Sequence, residues 1–114
     1  MSRVRLHPQD RRQQILNTAV AVAHAVGYAR LSMRTISESI GISRTLIAHY
    51  YSMRQIRDHV MQDAINRGDI GMIAQGLGVQ DPVARRAPLR LREDASRILG
   101  GLRGVGISSG PSSR

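Results

Sequence analysis

The sequence predicts an all-α fold: a helical bundle with an N-terminal three-helix helix-turn-helix module and a short C-terminal helical dimerisation region. Three observations predict it. Apolar residues recur at spacings of three and four through Ile15, Ala19, Val22, Ala23 and Val26, and again through Met33, Ile36 and Ile40. Gly41-Ile42-Ser43 separates two short periodic segments with one glycine and one capping serine, the punctuation of a tight helix-helix turn. Nine arginines face only two acids, Asp10 and Glu38, over residues 1–57, whereas eight arginines face six acids over residues 58–114. The first half therefore carries most of the net charge of +9, the footprint expected of a surface for a polyanion.

Residues 1–6 read as a flexible basic arm. His7-Pro8 opens the first helix, since proline at the first helical position gives up no needed hydrogen bond, and Gly27 closes it. Tyr28 to Leu31 is a connector. Ser32 caps a second helix running to Ile40, Ile42 plugs the core beneath the turn, and Ser43 caps a third helix over residues 44–51. Ile47 and Tyr51 face inward on that third helix, which leaves Arg44, Thr45, Ala48 and His49 outside. Ser52 and Gln55 form a capping-box pattern at the start of a fourth helix, whose apolar side is Ile56, Val60, Met61, Ala64 and Ile65. Gly68 ends or bends it. Residues 69–78 are apolar but hold Gly71, Gly76 and Gly78, which weakens the helical signal. Asp81-Pro82 starts another helix, and a last one covers residues 88–99. The run GGLRGVGISSGPSSR from Gly100 is expected to be a disordered tail. The organisation is thus an arm (1–6), a helix-turn-helix module (7–57), C-terminal helices for dimerisation (58–99) and a tail (100–114).

Composition excludes several classes. The chain has no cysteine, hence no disulfide framework and no thiolate metal site. Its four histidines (His7, His24, His49, His59) lack metal-ligand spacing, and no metal or other cofactor is expected. No nucleophile–base pair or carboxylate dyad is visible, so the chain does not read as an enzyme. Gly71, Gly76 and Gly78 follow no strand and precede no lysine, which does not make a phosphate loop. No apolar run matches a membrane span, and the N-terminus lacks the apolar core of a secretory signal. A soluble cytoplasmic protein is expected. Every basic side chain is arginine: its planar fork suits phosphate and guanine, although the codon bias of a GC-rich genome gives the same composition.

The motif order "ILNTAV…VGY", "TISESIGIS" and "RTLIAHYYS" resembles the DNA-binding domain of TetR/AcrR-type transcriptional repressors over a little under half the chain. The shortness of the chain and the segment "IAQGLGVQDPVARRAP" are similar to the small plasmid- and phage-borne members, the ArdK-type regulators. The resemblance implies that Gly41, Ile42 and Ser43 stand at the family's Gly-Val-Ser turn, that Tyr51 replaces a core phenylalanine, that Tyr50 matches an aromatic near phosphate, and that Arg54 takes the place of a backbone-binding lysine. Thr45 stands where the family has glycine, Ala48 where it has tyrosine, and Gln55 where it has glutamate, while Ile56 arrives one residue early.

The expected partner is double-stranded DNA. Arg44, Thr45, Leu46, Ala48 and His49 are the candidate base contacts, with Arg44 able to fork onto guanine. Ser32, Arg34, Ser43, Tyr50 and Arg54 are the candidate phosphate contacts; Tyr50 alternatively packs in the core. Arg3 and Arg5 are candidates for a minor-groove arm. One helix reads only a few base pairs, so a homodimer on an inverted repeat is expected, with Leu91, Ala95, Ile98 and Leu99 at its interface. Repression follows from occupancy of a promoter. No small-molecule effector is expected, because the region after Arg67 is short and glycine-rich. The competing reading is a protein-interaction module, antitoxin-like or an anti-repressor, whose helices mask a partner protein.

Overall fold

The computed structural model describes residues 7–107, with side chains to residue 101. Among these residues the chain forms seven α-helices and one 3-10 turn, and no strand. Two compact units divide between Val60 and Met61, inside a helix and a few residues beyond the expected boundary at 57.

The first unit begins with α1 (Pro8–Val26), where His7 caps the helix by accepting the Gln9 N–H at 3.2 Å and Pro8 occupies the first turn. Ile15, Ala19, Val22 and Ala23 are buried along one face. Val26, assigned by spacing to the same stripe, is 40% exposed, because the helix ends one residue later, at Gly27 (φ 96°). The connector is a 3-10 turn (Tyr28–Arg30) that does more than link. Tyr28 and Leu31 are buried, and the Tyr28 hydroxyl donates to the Arg57 carbonyl at 3.3 Å. The Arg57 guanidinium donates in turn to the Leu31 carbonyl at 3.2 Å. These long-range bonds clasp the connector to α4 (Met53–Arg67).

Helix α2 (Met33–Ile40) is capped reciprocally: Ser32 Oγ accepts the Thr35 N–H at 3.1 Å and Thr35 Oγ1 accepts the Ser32 N–H at 2.9 Å. Threonine does the work that the capping-box pattern gives to glutamate. Gly41 adopts the left-handed conformation (φ 86°) and its N–H donates to Ser37 at 2.8 Å. A side chain there would be strained by the backbone whatever the space around it. The Ser37 hydroxyl then donates to the Ile42 carbonyl at 2.5 Å and ties down the turn from below. Helix α3 (Arg44–Tyr50) follows, one residue shorter than the spacing predicts, since Tyr51 is already extended (φ −146°) and serves as its C-cap. Ile36, Ile47, Ile56 and Val60 complete the buried residues of this unit.

In the second unit α5 (Ile70–Gly78) forms despite its glycines. Gly68 ends α4 with φ 68°, and Asp69 caps α5 by accepting the Met72 N–H at 3.1 Å. Gly76 is there for space: a Cβ would lie 2.5 Å from Met61 Cε and 2.9 Å from the Ala84 Cβ. Asp81, 4% exposed, accepts N–H bonds from Val83 and Ala84 at 3.0 Å each and caps α6 (Pro82–Arg85). Helix α7 (Leu89–Ile107) packs on α5.

Two expectations are corrected here. The tail predicted from Gly100 is helical as far as Ile107. Once a helix is nucleated each added residue gains a hydrogen bond, and glycine weakens propagation by about 1 kcal/mol without breaking it. The rest of the expected tail, residues 108–114, lies outside the described residues. Leu91 and Ala95, expected at a dimer surface, are 7% and 0% exposed within the chain itself. This part of the expected interface is consumed by the chain's own packing. Ile98 is 40% exposed and Leu99 half-buried.

Candidate functional site

The first unit presents α3 as a short rod. Its buried residue is Ile47, one turn after Ser43, which caps it by accepting the Leu46 N–H at 3.0 Å. With Ile47 inward, helical periodicity turns the other flank outward: Arg44, Thr45, Ala48 and His49 are exposed and Leu46 is half-buried. The five candidate base contacts thus lie on one helix, four of them exposed and Leu46 half-buried. Ala48 contributes only a methyl group, so the polar chemistry of this flank rests with Arg44, Thr45 and His49.

The candidate phosphate contacts are distributed over α2, α3 and α4. Arg34 is exposed on α2. Ser32 and Ser43 are half-buried and exposed respectively, each with its oxygen engaged in capping. Arg54 is exposed and pairs with Asp58, Nε to Oδ1 at 3.0 Å. An exposed i,i+4 pair of this kind contributes well under about 1 kcal/mol, so a phosphate can displace the carboxylate at little cost. Tyr50 is half-buried at the end of α3; its ring meets the edge of His49 at 5.2 Å between centroids and lies beneath the Arg12 guanidinium at 5.5 Å. Tyr50 therefore packs against side chains of the surface, and the alternative of a core tyrosine is met instead by Tyr28. Arg3 and Arg5 lie outside the described residues.

Charge and surface agree in this unit. Arg12, Arg30, Arg34, Arg44 and Arg54 are all exposed, against the exposed acids Asp10 and Glu38 and the half-buried Asp58. Sequence reading missed three contributors. Tyr28 as an anchor had a signal, an aromatic directly after a positive-φ glycine. The Arg57 clasp and the Arg12–Tyr50 stack had none, because each joins residues at least 26 positions apart.

Among the described residues no group of histidine and acidic side chains is placed to hold a metal ion. Among the described residues no helix is long and apolar enough to cross a membrane. A surface hollow along α7 is lined by Leu89, Arg92, Glu93, Ser96 and Arg97 and is open to solvent.

Residues 15–56 match the family described as bacterial regulatory proteins, tetR family, a span that runs from the core of α1 through the whole of α3. The chain is also 30% identical over 95 residues to HTH-type transcriptional regulator BetI 2 of Chromohalobacter salexigens, an alignment covering 67% of this chain and 45% of that protein. The chain thus spans less than half the length of that curated relative. No solved structure matches.

Proposed function

Residues 15–56 belong to the tetR family of bacterial regulatory proteins, and from that premise we propose that this chain is a sequence-specific transcriptional repressor that binds an inverted-repeat operator as a homodimer through α3. The observation that carries the reading is the uncovered flank of α3, where Arg44, Thr45 and His49 are exposed together on a rod anchored by Ile47. A rod of this size fits a major groove, and its arginine and hydroxyl are the groups that discriminate base edges. Arg34, Arg54 and the capping serines set the register on the backbone. Arg3 and Arg5 extend the contact into a neighbouring minor groove.

One α3 reads too few base pairs to pick out a promoter, so two copies are needed about one DNA turn (~34 Å) apart. Leu91 and Ala95 are spent inside the chain, which leaves Ile98, 40% exposed, and the half-buried Leu99 for the dimer surface. Occupancy of the promoter excludes polymerase, and the proposal needs no small-molecule effector. Such a role places the protein with the chromosome, in the cytoplasm.

The test is a gel shift and footprint of the 114-residue chain on the DNA immediately upstream of its own gene, at two salt concentrations. The proposal expects a protected inverted repeat and binding that weakens steeply as salt rises. Absent or salt-insensitive binding contradicts it and favours a module that masks a protein partner.

A further inference from the structure

The geometry points to Arg12, on α1, as a further DNA-contacting residue: a phosphate-binding cation that Tyr50 holds in place at the end of the recognition rod. This rests on the proposed DNA-binding reading and adds to it a residue from α1, the helix that precedes α2 and α3. Four observations carry it. The Arg12 guanidinium lies 5.5 Å from the centroid of the Tyr50 ring. Arg12 is exposed and, among the described residues, meets no carboxylate. That separates it from Arg54, Arg67 and Arg97, which pair with Asp58, Asp63 and Asp94. The Tyr50 hydroxyl likewise meets no protein hydrogen-bond partner among the described residues. Finally, the ring stacks edge-on with His49 at 5.2 Å, so Arg12, Tyr50 and His49 form an unbroken row from α1 to the exposed flank of α3.

The physics of that row suits phosphate. An aromatic face attracts a guanidinium without neutralising it, so the full charge and the outward N–H groups stay available. An arginine free in water loses much rotamer entropy when it binds, and a stacked one has already lost part of it. Tyr50 adds a hydroxyl at the edge of the same surface. The planar fork can donate two parallel hydrogen bonds to one phosphate. Such a contact positions the protein on the duplex and reads no bases.

The experiment measures binding of the full chain and its variants to two duplexes, the stretch upstream of its own gene and a shuffled duplex of equal length and composition, across a salt series. Arg12→Gln is expected to weaken both about tenfold and to lower the slope of log affinity against log salt by about 0.9 per bound protomer, with the melting temperature unchanged. Tyr50→Phe keeps the ring, and Arg12→Gln costs as much in that background as in the parent. Tyr50→Leu removes the platform, and in that background the cost of Arg12→Gln shrinks. Parent protein that binds while Arg12→Gln matches it in affinity and salt slope overturns the inference and leaves the DNA-binding reading standing. A weaker Arg12→Gln with an unchanged slope also overturns it, since that is an indirect effect on shape. A parent chain that binds neither duplex in a salt-dependent way overturns the reading and the inference together.

Discussion

Helices α3 and α7 put similar apolar residues to opposite uses. In α3 Ile47 is the anchor, and Arg44, Thr45, Ala48 and His49 stay outside. In α7 Leu91 and Ala95 are enclosed by the chain's own packing, while Leu89 and Ile98 remain on the outside. A helix with a single apolar anchor declares its free face. A helix with apolar residues on several sides does not say which of them answers to its own chain and which to another. The anchor in α3 sets its orientation and leaves the other flank exposed; in α7 tertiary packing decides which positions stay outside.

The sharpest way to break this comparison is to place a charge on each helix in turn. Ala95→Glu puts a carboxylate where nothing is exposed and is expected to destabilise by about 3–5 kcal/mol, the order found for a buried charge left without a partner. Urea denaturation followed by circular dichroism measures it. Ile98→Glu, at a 40% exposed site, is expected to leave the helical signal and melting temperature nearly unchanged while lowering the sedimentation mass. If Ala95→Glu changes only the mass, then Ala95 faces a second copy and the assignment of its burial is wrong.

A milder pair separates close packing from helix propensity. Gly76→Ala brings a methyl against Met61 and Ala84, and the expected loss is about 1–3 kcal/mol, as for other overpacked cores. Gly100→Ala meets nothing within 4 Å and lies in α7, so it is expected to stabilise by about 0.4–1 kcal/mol through the unfolded chain. Equal signs for the two, read from thermal melts, would remove the reason given for the glycine in α5. Smaller still, Ser43→Ala removes the Leu46 cap and should cost about 1 kcal/mol.

The helix-turn-helix was legible because its signals are local. Pro8, Ser32, Gly41, Ser43 and Ser52 each act within a few residues, and the caps of α1, α2, α3 and α4 fall where these residues place them. The outward flank of α3 followed from one buried isoleucine and a period of 3.6 residues. The second unit was harder for a physical reason. Gly76 reads as a helix weakener until Met61 and Ala84 are seen to press against it, and spacing cannot tell a core stripe from an interface. The glycines from Gly100 onward signal a tail by composition, yet the helix already running into them continues to Ile107. The clasp of Tyr28 and Arg57 and the stack of Arg12 on Tyr50 join distant positions, and no window along the chain contains both partners.

The central claim is that the uncovered flank of α3 reads DNA sequence, and Arg44→Ala tests it most directly. Arg44 is exposed and should be neutral for stability, within about 0.5 kcal/mol. The measurement is the ratio of affinities for the protected upstream duplex and a shuffled duplex. The account predicts that Arg44→Ala lowers this ratio by about 1–3 kcal/mol, roughly five- to 150-fold, with little change on the shuffled duplex. Equal weakening on both duplexes would contradict it and reduce Arg44 to a backbone contact.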